Sequence, residues 1–522
     1  MKPDSISNKA AMHLTILCAV LFATLAVSGQ GSTRVESSSP AKPVLATPAD
    51  LAESIRQRIQ KPEVRRGQIG IKVVSLASGK VILEENADKY FMPASNMKSF
   101  TVATAIEKLS PDFRFVTSVF ATSMPDADGT VRGPVRILGR GDVSVSYTFN
   151  EGDHLRGIDR LASALVASGV RKIDGDIIGD ETYFTGDPLP SGWEWDDLQF
   201  YYGAEVSALP VNDNVVALRV TPGPVGFPCG AKLTPAFVLM RVVNSCVTTA
   251  SGTRRTLRIH KPLGQNVIEI SGELPLGNQG FDGFVAVTRP AEMFVALLKQ
   301  RLVEKGVVVT GRAVAVNSKS LLPADTNVEI AKIESPPLAL IAAKTMKPSQ
   351  NMYTETLLWT LGEETRRKLE PAAGPSRDSS QLGIDAVKGF MAEVGAGEES
   401  VIQYDGSGLS RHNLITPDAV VRLYTYMATK SRYSQTWHDS LTIGGVDGTL
   451  RNRFIGTKGA SNVRGKTGTI NQVSALSGYV TTAGGERLVF SVLVNGVAET
   501  RTRVALIDEI VLDLANFTGK ID

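Results

Sequence analysis

Apolar and polar positions follow three successive textures along this chain. Apolar residues recur at helical spacing over 49–59. Residues 70–75 and 80–83 then alternate with period two about a turn at Ala77-Ser78-Gly79, predicting a pair of strands. Phe100, Val102, Ala103, Ala105, Ile106 and Leu109 again fit a helix, ended near Pro111. Beyond it the pattern breaks into short β-branched runs between glycine-rich turns, at 116–120, 135–138, 172–178, 215–220, 256–259 and 267–270. A helix over 291–305 and a strand over 307–310 close that region. Helical periodicity returns at 338–347, 351–367, 381–394 and 417–429. Strands over 473–482 and 487–495 then flank Ala483-Gly484-Gly485 as a hairpin, and a last amphipathic helix covers 502–517.

A helical opening, about two hundred residues of mostly strands and a helical close predict a multi-domain α/β protein. The outer segments, 47–112 and 331–522, would form one α/β domain with helices packed on a sheet. The β-rich block, 113–330, would be inserted into it as two subdomains. At 522 residues the chain is long enough for about three domains.

Composition narrows the function. A formal charge of +3, with no Lys/Arg block interleaved with aromatics, argues against nucleic acid as a partner. The five histidines and three cysteines form no C-x-x-C or H-E-x-x-H pattern, so no metal or cofactor is expected. Lys2 and Lys9 precede an apolar run over 14–27 and small residues Ser28 and Gly29, the pattern of a secretory signal over 1–29. A polar linker follows over 30–46. An uncleaved anchor is the competing reading of the run. No second run could span a membrane, so a soluble periplasmic or otherwise extracytoplasmic protein is expected. Cys18 would leave with the signal, and the remaining pair, Cys229 and Cys246, could form a disulfide in an oxidising compartment.

The candidate chemistry begins at Pro93-Ala94-Ser95-Asn96-Met97-Lys98. Ser95 falls at a helix start with Lys98 one turn on, and a lysine kept neutral can take the proton of a serine nucleophile. The plain alternative is an N-cap serine followed by a solvated lysine, and Ser39-Pro-Ala-Lys42 matches the same spacing within the linker. Ser349 and Asn351 precede the helix at 351–367, where a hydroxyl and an amide can relay a proton and hold a carbonyl. Lys466, Thr467, Gly468 and Thr469 lead into the last hairpin, where a lysine and a threonine can bind a carboxylate and a glycine lets a substrate backbone approach. An N-cap and a turn lysine are the respective alternatives. Ser407 lies in Asp-Gly-Ser-Gly rather than Gly-x-Ser-x-Gly, and His412 has no placed acid, so a Ser–His esterase is disfavoured. Arg140-Gly141-Asp142 spells an adhesion tripeptide and is read as a strand-end turn.

Ser-x-x-Lys, Ser-x-Asn and Lys-Thr-Gly in this order are the set of β-lactamases and penicillin-binding proteins. With about 250 residues between Lys98 and Ser349, the chain resembles the D-alanyl-D-alanine carboxypeptidases of the penicillin-binding protein 4 type, the S13 peptidases. Leu138-Gly-Arg-Gly-Asp142, Val206-Ser-Ala-Leu-Pro-Val-Asn212-Asp213-Asn214, Asp405-Gly-Ser-Gly-Leu-Ser-Arg411-His-Asn413 and Gly445-Val-Asp447-Gly-Thr-Leu-Arg451 also resemble that family. The resemblance implies a transpeptidase-like domain, an antiparallel sheet with helices packed on it, interrupted by the insertion. It implies Ser95 as nucleophile, Lys98 as base, Ser349 as proton relay, and Asn351 orienting substrate and Lys98. Lys466 and Thr467 would bind the terminal carboxylate, and the N–H groups of Ser95 and Thr469 would form the oxyanion hole. Peptidoglycan peptides would be substrates, with DD-endopeptidase activity as a further possibility, and β-lactams covalent inhibitors. A side-chain subsite would draw on Asp180, Phe184, Arg411 and Asn471, the last standing where some relatives have Gln. The competing functions are a non-catalytic wall-binding scaffold and a β-lactamase-like hydrolase.

Overall fold

The period-two runs from the two ends of the chain pair with one another. In the computed structural model, which describes residues 45–236, 239–368 and 377–521, Gln68–Ser75 lies antiparallel to Arg487–Asn495 from Ser75↔Leu488 to Gln68↔Asn495. The result is a six-stranded sheet ordered Val81–Glu85, Gln68–Ser75, Arg487–Asn495, Val473–Thr481, Arg464–Ile470, Thr442–Ile443. Its central strands are apolar on both sides because both faces are covered. Phe490, Val492, Leu476 and Val480 pack with the first and last helices, Pro48–Ile59 and Thr500–Asn516. Val489, Leu493, Ala475 and Tyr479 pack on the opposite face with the helices Lys98–Leu109, Leu338–Met346, Asn351–Lys368, Ser379–Val394 and Pro417–Thr429. Local signals start these helices: Thr47 Oγ1 accepts the Asp50 N–H and Thr416 Oγ1 that of Ala419, with a proline following each cap.

Residues between Val116 and Glu334 build a separate core around a five-stranded sheet and several smaller ones. Two differences from the sequence expectation stand out. The helix Arg156–Ala167 was not expected, although Ile158, Leu161, Ala162 and Leu165 carry its i, i+3, i+4, i+7 stripe. The run expected as one strand over 172–178 divides at Gly175 into Lys172–Asp174 and Ile177–Asp180, which join different sheets. Cys229 and Cys246 are bridged. The expected leader, Cys18 and most of the linker lie outside the described residues, among which no helix is long and apolar enough to cross a membrane.

One polar brace ties the inserted block to the helix that carries Asn351, and a second ties the last helix to the strand beside the one that carries Lys466. Asp213, buried among three consecutive left-handed residues, accepts from Tyr353 Oη (2.5 Å) and Gln350 Nε2 (3.3 Å) at the start of the helix Asn351–Lys368. Arg503, fully buried on the last helix, donates to Ser474 Oγ (3.0 Å), Ala498 O (2.7 Å), Thr500 Oγ1 (2.8 Å) and the Val497 carbonyl. Replacing Arg503 by Met leaves those acceptors dry and unpaired, so chemical denaturation should show a loss of about 3 kcal/mol or more. Wild-type stability in Arg503→Met would refute this bracing.

Candidate active site

Ser95 stands on a 3₁₀ turn, Ala94–Met97, that runs directly into the helix Lys98–Leu109. The extra tight turn moves the helix start to Lys98 but leaves the two side chains on one side. Ala94 adopts φ 46°, which costs a residue with a Cβ, and its neighbours hold it there. Gly408, at φ 83°, passes so close that a Cβ would lie 1.8 Å from the Ala94 carbonyl oxygen. On the other side Asn96 Nδ2 donates to the Lys466 carbonyl at 2.9 Å. Gly468 completes the contact, since a Cβ there would fall 2.6 Å from the Pro93 carbonyl oxygen and 3.1 Å from Ser95 N. The strand Arg464–Ile470 thus runs against the nucleophile turn because position 468 has no side chain.

The Lys98 amine is fully buried, 3.0 Å from Ser95 Oγ, 2.6 Å from Asn351 Oδ1 and 2.7 Å from the Ser407 carbonyl oxygen. Burial pulls its pKa down to about 7, against the opposing pull of Asp405 and Glu355. A neutral amine has two hydrogens and one lone pair. Asn351 is oriented by donating Nδ2–H to the Tyr202 carbonyl (2.8 Å), so its Oδ1 and the Ser407 carbonyl present acceptors only. They take the two hydrogens, and the lone pair is left facing Ser95 Oγ. That is the arrangement a base needs.

Lys466 is also fully buried and donates to Ser349 Oγ (2.8 Å) and the Thr467 carbonyl (2.9 Å). Burial first, and the nearby Lys98 charge second, hold its pKa well below the usual lysine value. Ser349, at φ 66°, is another strained residue with a Cβ. Thr467 Oγ1 donates to Thr449 Oγ1 at 2.7 Å. Ser95, Lys98, Ser349, Asn351, Lys466 and Thr467 are therefore brought together, although 371 positions separate the first from the last of the three motifs' leading residues, Ser95 and Lys466.

A cleft of about 560 Å³ opens over this group, and Ser95, Ser349, Asn351, Thr467, Thr469, Arg411 and Asn471 line it. Arg411 Nε pairs with Glu194 at 2.9 Å, and its Nη1 donates to the Asn471 carbonyl at 3.1 Å. The other wall is an irregular loop that places Glu194, Asp197, Tyr201 and Tyr202 in the cleft. Tyr202 Oη donates to Asp197 Oδ1 at 3.1 Å, while burial raises the Asp197 carboxyl.

Asp180 and Phe184 must be corrected. Asp180 is 1% exposed and pairs with Arg136 at 2.9 Å within the inserted sheet, its other oxygen accepting the Thr182 N–H. Phe184 is buried edge-on against Trp359, with ring centres 5.5 Å apart. A strand-end carboxylate had an arginine within reach and an apolar ring had a core to enter, so neither lines the cleft. Its acids and phenols come from residues 194–202, a stretch the sequence reading passed over; its one signal is aromatic and acidic residues crowded together without period. Ser407 contributes its carbonyl, while His412 is exposed, with its ring tilted against that of Tyr404. Arg140 reaches the Val116 carbonyl at 3.0 Å and Asp142 is buried, which leaves no exposed adhesion loop there. Ser39 and Lys42 lie outside the described residues.

A cleft-lining serine on a buried lysine, at the meeting of an antiparallel sheet and a helical layer, defines a penicillin-recognising serine enzyme. The model of the D-Ala-D-Ala carboxypeptidase 3 (S13) family matches residues 51–516, and the chain belongs to that family. It is a serine-type D-Ala-D-Ala carboxypeptidase by that membership. Among relatives, the D-alanyl-D-alanine carboxypeptidase of Actinomadura sp. (strain R39) is 34% identical over 90% of this chain and 85% of its own length. The D-alanyl-D-alanine carboxypeptidase DacB of Haemophilus influenzae is 26% identical over 84% of this chain and 88% of its own. The crystal structure of penicillin binding protein 4 (dacB) from Haemophilus influenzae shares the fold, with a TM-score of 0.74 over 88% of this chain and 98% of that one, at 22% identity.

Two measurements follow from this geometry. With the neutral Lys98 amine as the competent form, acylation should rise with pH through about 7, as Lys98 loses its proton. A rate flat from about pH 5 to 8 would exclude Lys98 as that base. Asp180→Asn should lower stability by about 1–3 kcal/mol, through loss of a buried charge partner for Arg136, and leave kcat/KM within about twofold of wild type. A large kcat/KM loss at unchanged stability would return Asp180 to the substrate site.

Proposed function

We propose that the chain cleaves the terminal D-alanyl–D-alanine bond of peptidoglycan stem peptides through an acyl-enzyme on Ser95. The observation that carries this reading is the pair of buried amines, Lys98 Nζ on Ser95 Oγ at 3.0 Å and Lys466 Nζ on Ser349 Oγ at 2.8 Å. Lys98 takes the Ser95 proton as Oγ attacks the penultimate carbonyl carbon. The N–H groups of Ser95 and Thr469 receive the developing oxyanion. Ser349, polarised by Lys466, hands a proton to the departing D-alanine nitrogen as the C–N bond breaks, and the proton that Lys98 took from Ser95 replaces it, which leaves Lys98 neutral again for the hydrolytic step. Lys466 and Thr467 hold the terminal carboxylate, and water then hydrolyses the ester. A β-lactam acylates the same oxygen, but its leaving nitrogen stays tethered, so the adduct persists.

Glu194, Asp197, Tyr202, Arg411 and Asn471 would receive the side chain of the stem peptide. Because Arg411 is already paired with Glu194, the carboxylate of Asp197 favours a side chain that ends in an amine. The open cleft also admits a cross-linked strand, which would make the enzyme a DD-endopeptidase as well. Division into a catalytic domain of 47–112 and 331–522 with 113–330 inserted is supported by the separate cores of the two parts. The charged and apolar N-terminal pattern supports export to an extracytoplasmic compartment.

Incubation with benzylpenicillin followed by intact-mass analysis and peptide mapping tests the reading. One adduct per chain on the Ser95 peptide is expected, lost in Ser95→Ala. Folded protein that takes no adduct would support the scaffold reading instead. An adduct gone within seconds would support the β-lactamase one.

A further inference from the structure

Glu355 lies one helical turn beyond Asn351, is fully buried and does not line the cleft. Its Oε2 accepts the Gly406 N–H at 2.9 Å and its Oε1 the Ser407 N–H at 2.7 Å. Both oxygens of one carboxylate thus grip two consecutive peptide nitrogens. The carbonyl of the second residue, Ser407, is the one that accepts from Lys98 at 2.7 Å. The same loop is held from two more sides. Thr101 Oγ1, on the Lys98 helix, donates to the Gly406 carbonyl at 3.0 Å. Asp405 accepts the N–H groups of Gly408 and Ser410, each at 2.7 Å, and Trp193 Nε1–H at 2.8 Å.

Two buried carboxylates so close together are an expensive way to hold a loop. Burial, and after it the charge of Asp405, push the Glu355 carboxyl up to about 8. Neutral side chains of similar size would suit stability as well or better. What a carboxylate offers, fully so once it ionises above about pH 8, is two acceptor atoms at a fixed spacing, each on one of two consecutive N–H groups and together able to set the direction of the peptide plane.

We propose that Glu355 is a positioning residue for acylation, which fixes the Ser407 carbonyl so that it takes one Lys98 hydrogen and leaves the amine lone pair on Ser95. The proposal rests on Lys98 acting as the base. Glu355 makes no contact with Ser95 or with substrate, so its effect falls on the rate of the chemical step and not on binding.

Glu355→Gln keeps the volume but presents one acceptor and an NH₂ group to two N–H donors, so the peptide between 406 and 407 must turn. Stopped-flow acylation by a chromogenic cephalosporin would be measured at about pH 8.5, above the Lys98 titration and with Glu355 ionised, so that the resting Lys98 amine is neutral in both proteins; Thr101→Val, which changes no charge, separates positioning from the lost charge. The acylation rate constant at saturation should fall about ten- to a hundredfold. The dissociation constant of the pre-covalent complex should stay within about twofold, and labelling should still reach one adduct per chain. Thr101→Val, which removes the bond to the Gly406 carbonyl and the one Thr101 accepts from Gln403 Nε2 (3.2 Å) while leaving both Glu355 bonds in place, should show the same split with a fall of about severalfold. It decides the matter if Glu355→Gln does not fold. A wild-type rate constant in the folded variant would overturn the proposal, as would a loss matched by an unlabelled fraction or weaker binding at an unchanged rate. Absence of a Ser95 adduct in the wild type would instead overturn the reading of Lys98 as the base.

Discussion

Burying two lysine amines beside one another is the constraint on which this structure depends. A lysine in water is protonated at neutral pH and has no lone pair to offer; taken out of water it gives up its proton far more readily, and for Lys466 the neighbouring Lys98 charge adds to the effect of burial. Lys98 and Lys466 come from opposite ends of the chain, and both are dry because the helices stacked on one sheet face seal them in. Each amine then needs acceptors of known direction. Asn351 and the Ser407 carbonyl serve Lys98, while Ser349 and the Thr467 carbonyl serve Lys466. The strained backbone at Ala94 and Ser349 fits this picture. Hydroxyl groups must be presented to buried amines at set angles, and the surrounding close contacts hold the chain in conformations it would not choose alone.

The inserted block has two relations to this centre. Most of it, the five-stranded sheet with the helices Arg156–Ala167 and Pro290–Glu304, is a self-contained core that touches no catalytic side chain. Its Asp213 segment, in contrast, locks onto Gln350, inside the Ser349–Asn351 motif, and onto Tyr353 two residues beyond it. The loop that ends at Tyr202 forms one wall of the cleft. A carboxylate buried beneath a helix and a loop without periodicity are the devices by which an outer lobe shapes an inner site.

Much of this was legible in the residues. The three motifs carry their own local context, so Ser95, Lys98, Ser349, Asn351, Lys466 and Thr467 could be named before any geometry was known. The hairpin around Ala483-Gly484-Gly485 and the helices at both ends followed from their periods. What failed did so for physical reasons. The stripe of Ile158, Leu161 and Leu165 was overlooked among strand-like neighbours. Asp180 has the same local setting as a turn carboxylate in a binding site, and only the arrival of Arg136 from a neighbouring strand decides its role. Glu194, Asp197 and Tyr202 share no regular element, so no period marks them, and their convergence on the cleft that Arg411 also lines is a tertiary fact. Glu355 looks like any helical glutamate until its two peptide donors are seen.

The bond from Asn351 Nδ2 to the Tyr202 carbonyl couples what are usually treated as separate modules. It is a backbone carbonyl on the outer wall of the cleft that keeps the catalytic amide from turning over. Chemistry and selectivity are therefore written into one stretch of main chain. Exchanging the 194–202 loop for that of a relative to alter substrate choice would rotate the amide unless the grafted backbone delivered a carbonyl to the same point. In this architecture a designer could vary the side chains of the wall freely, but its path would have to be inherited whole.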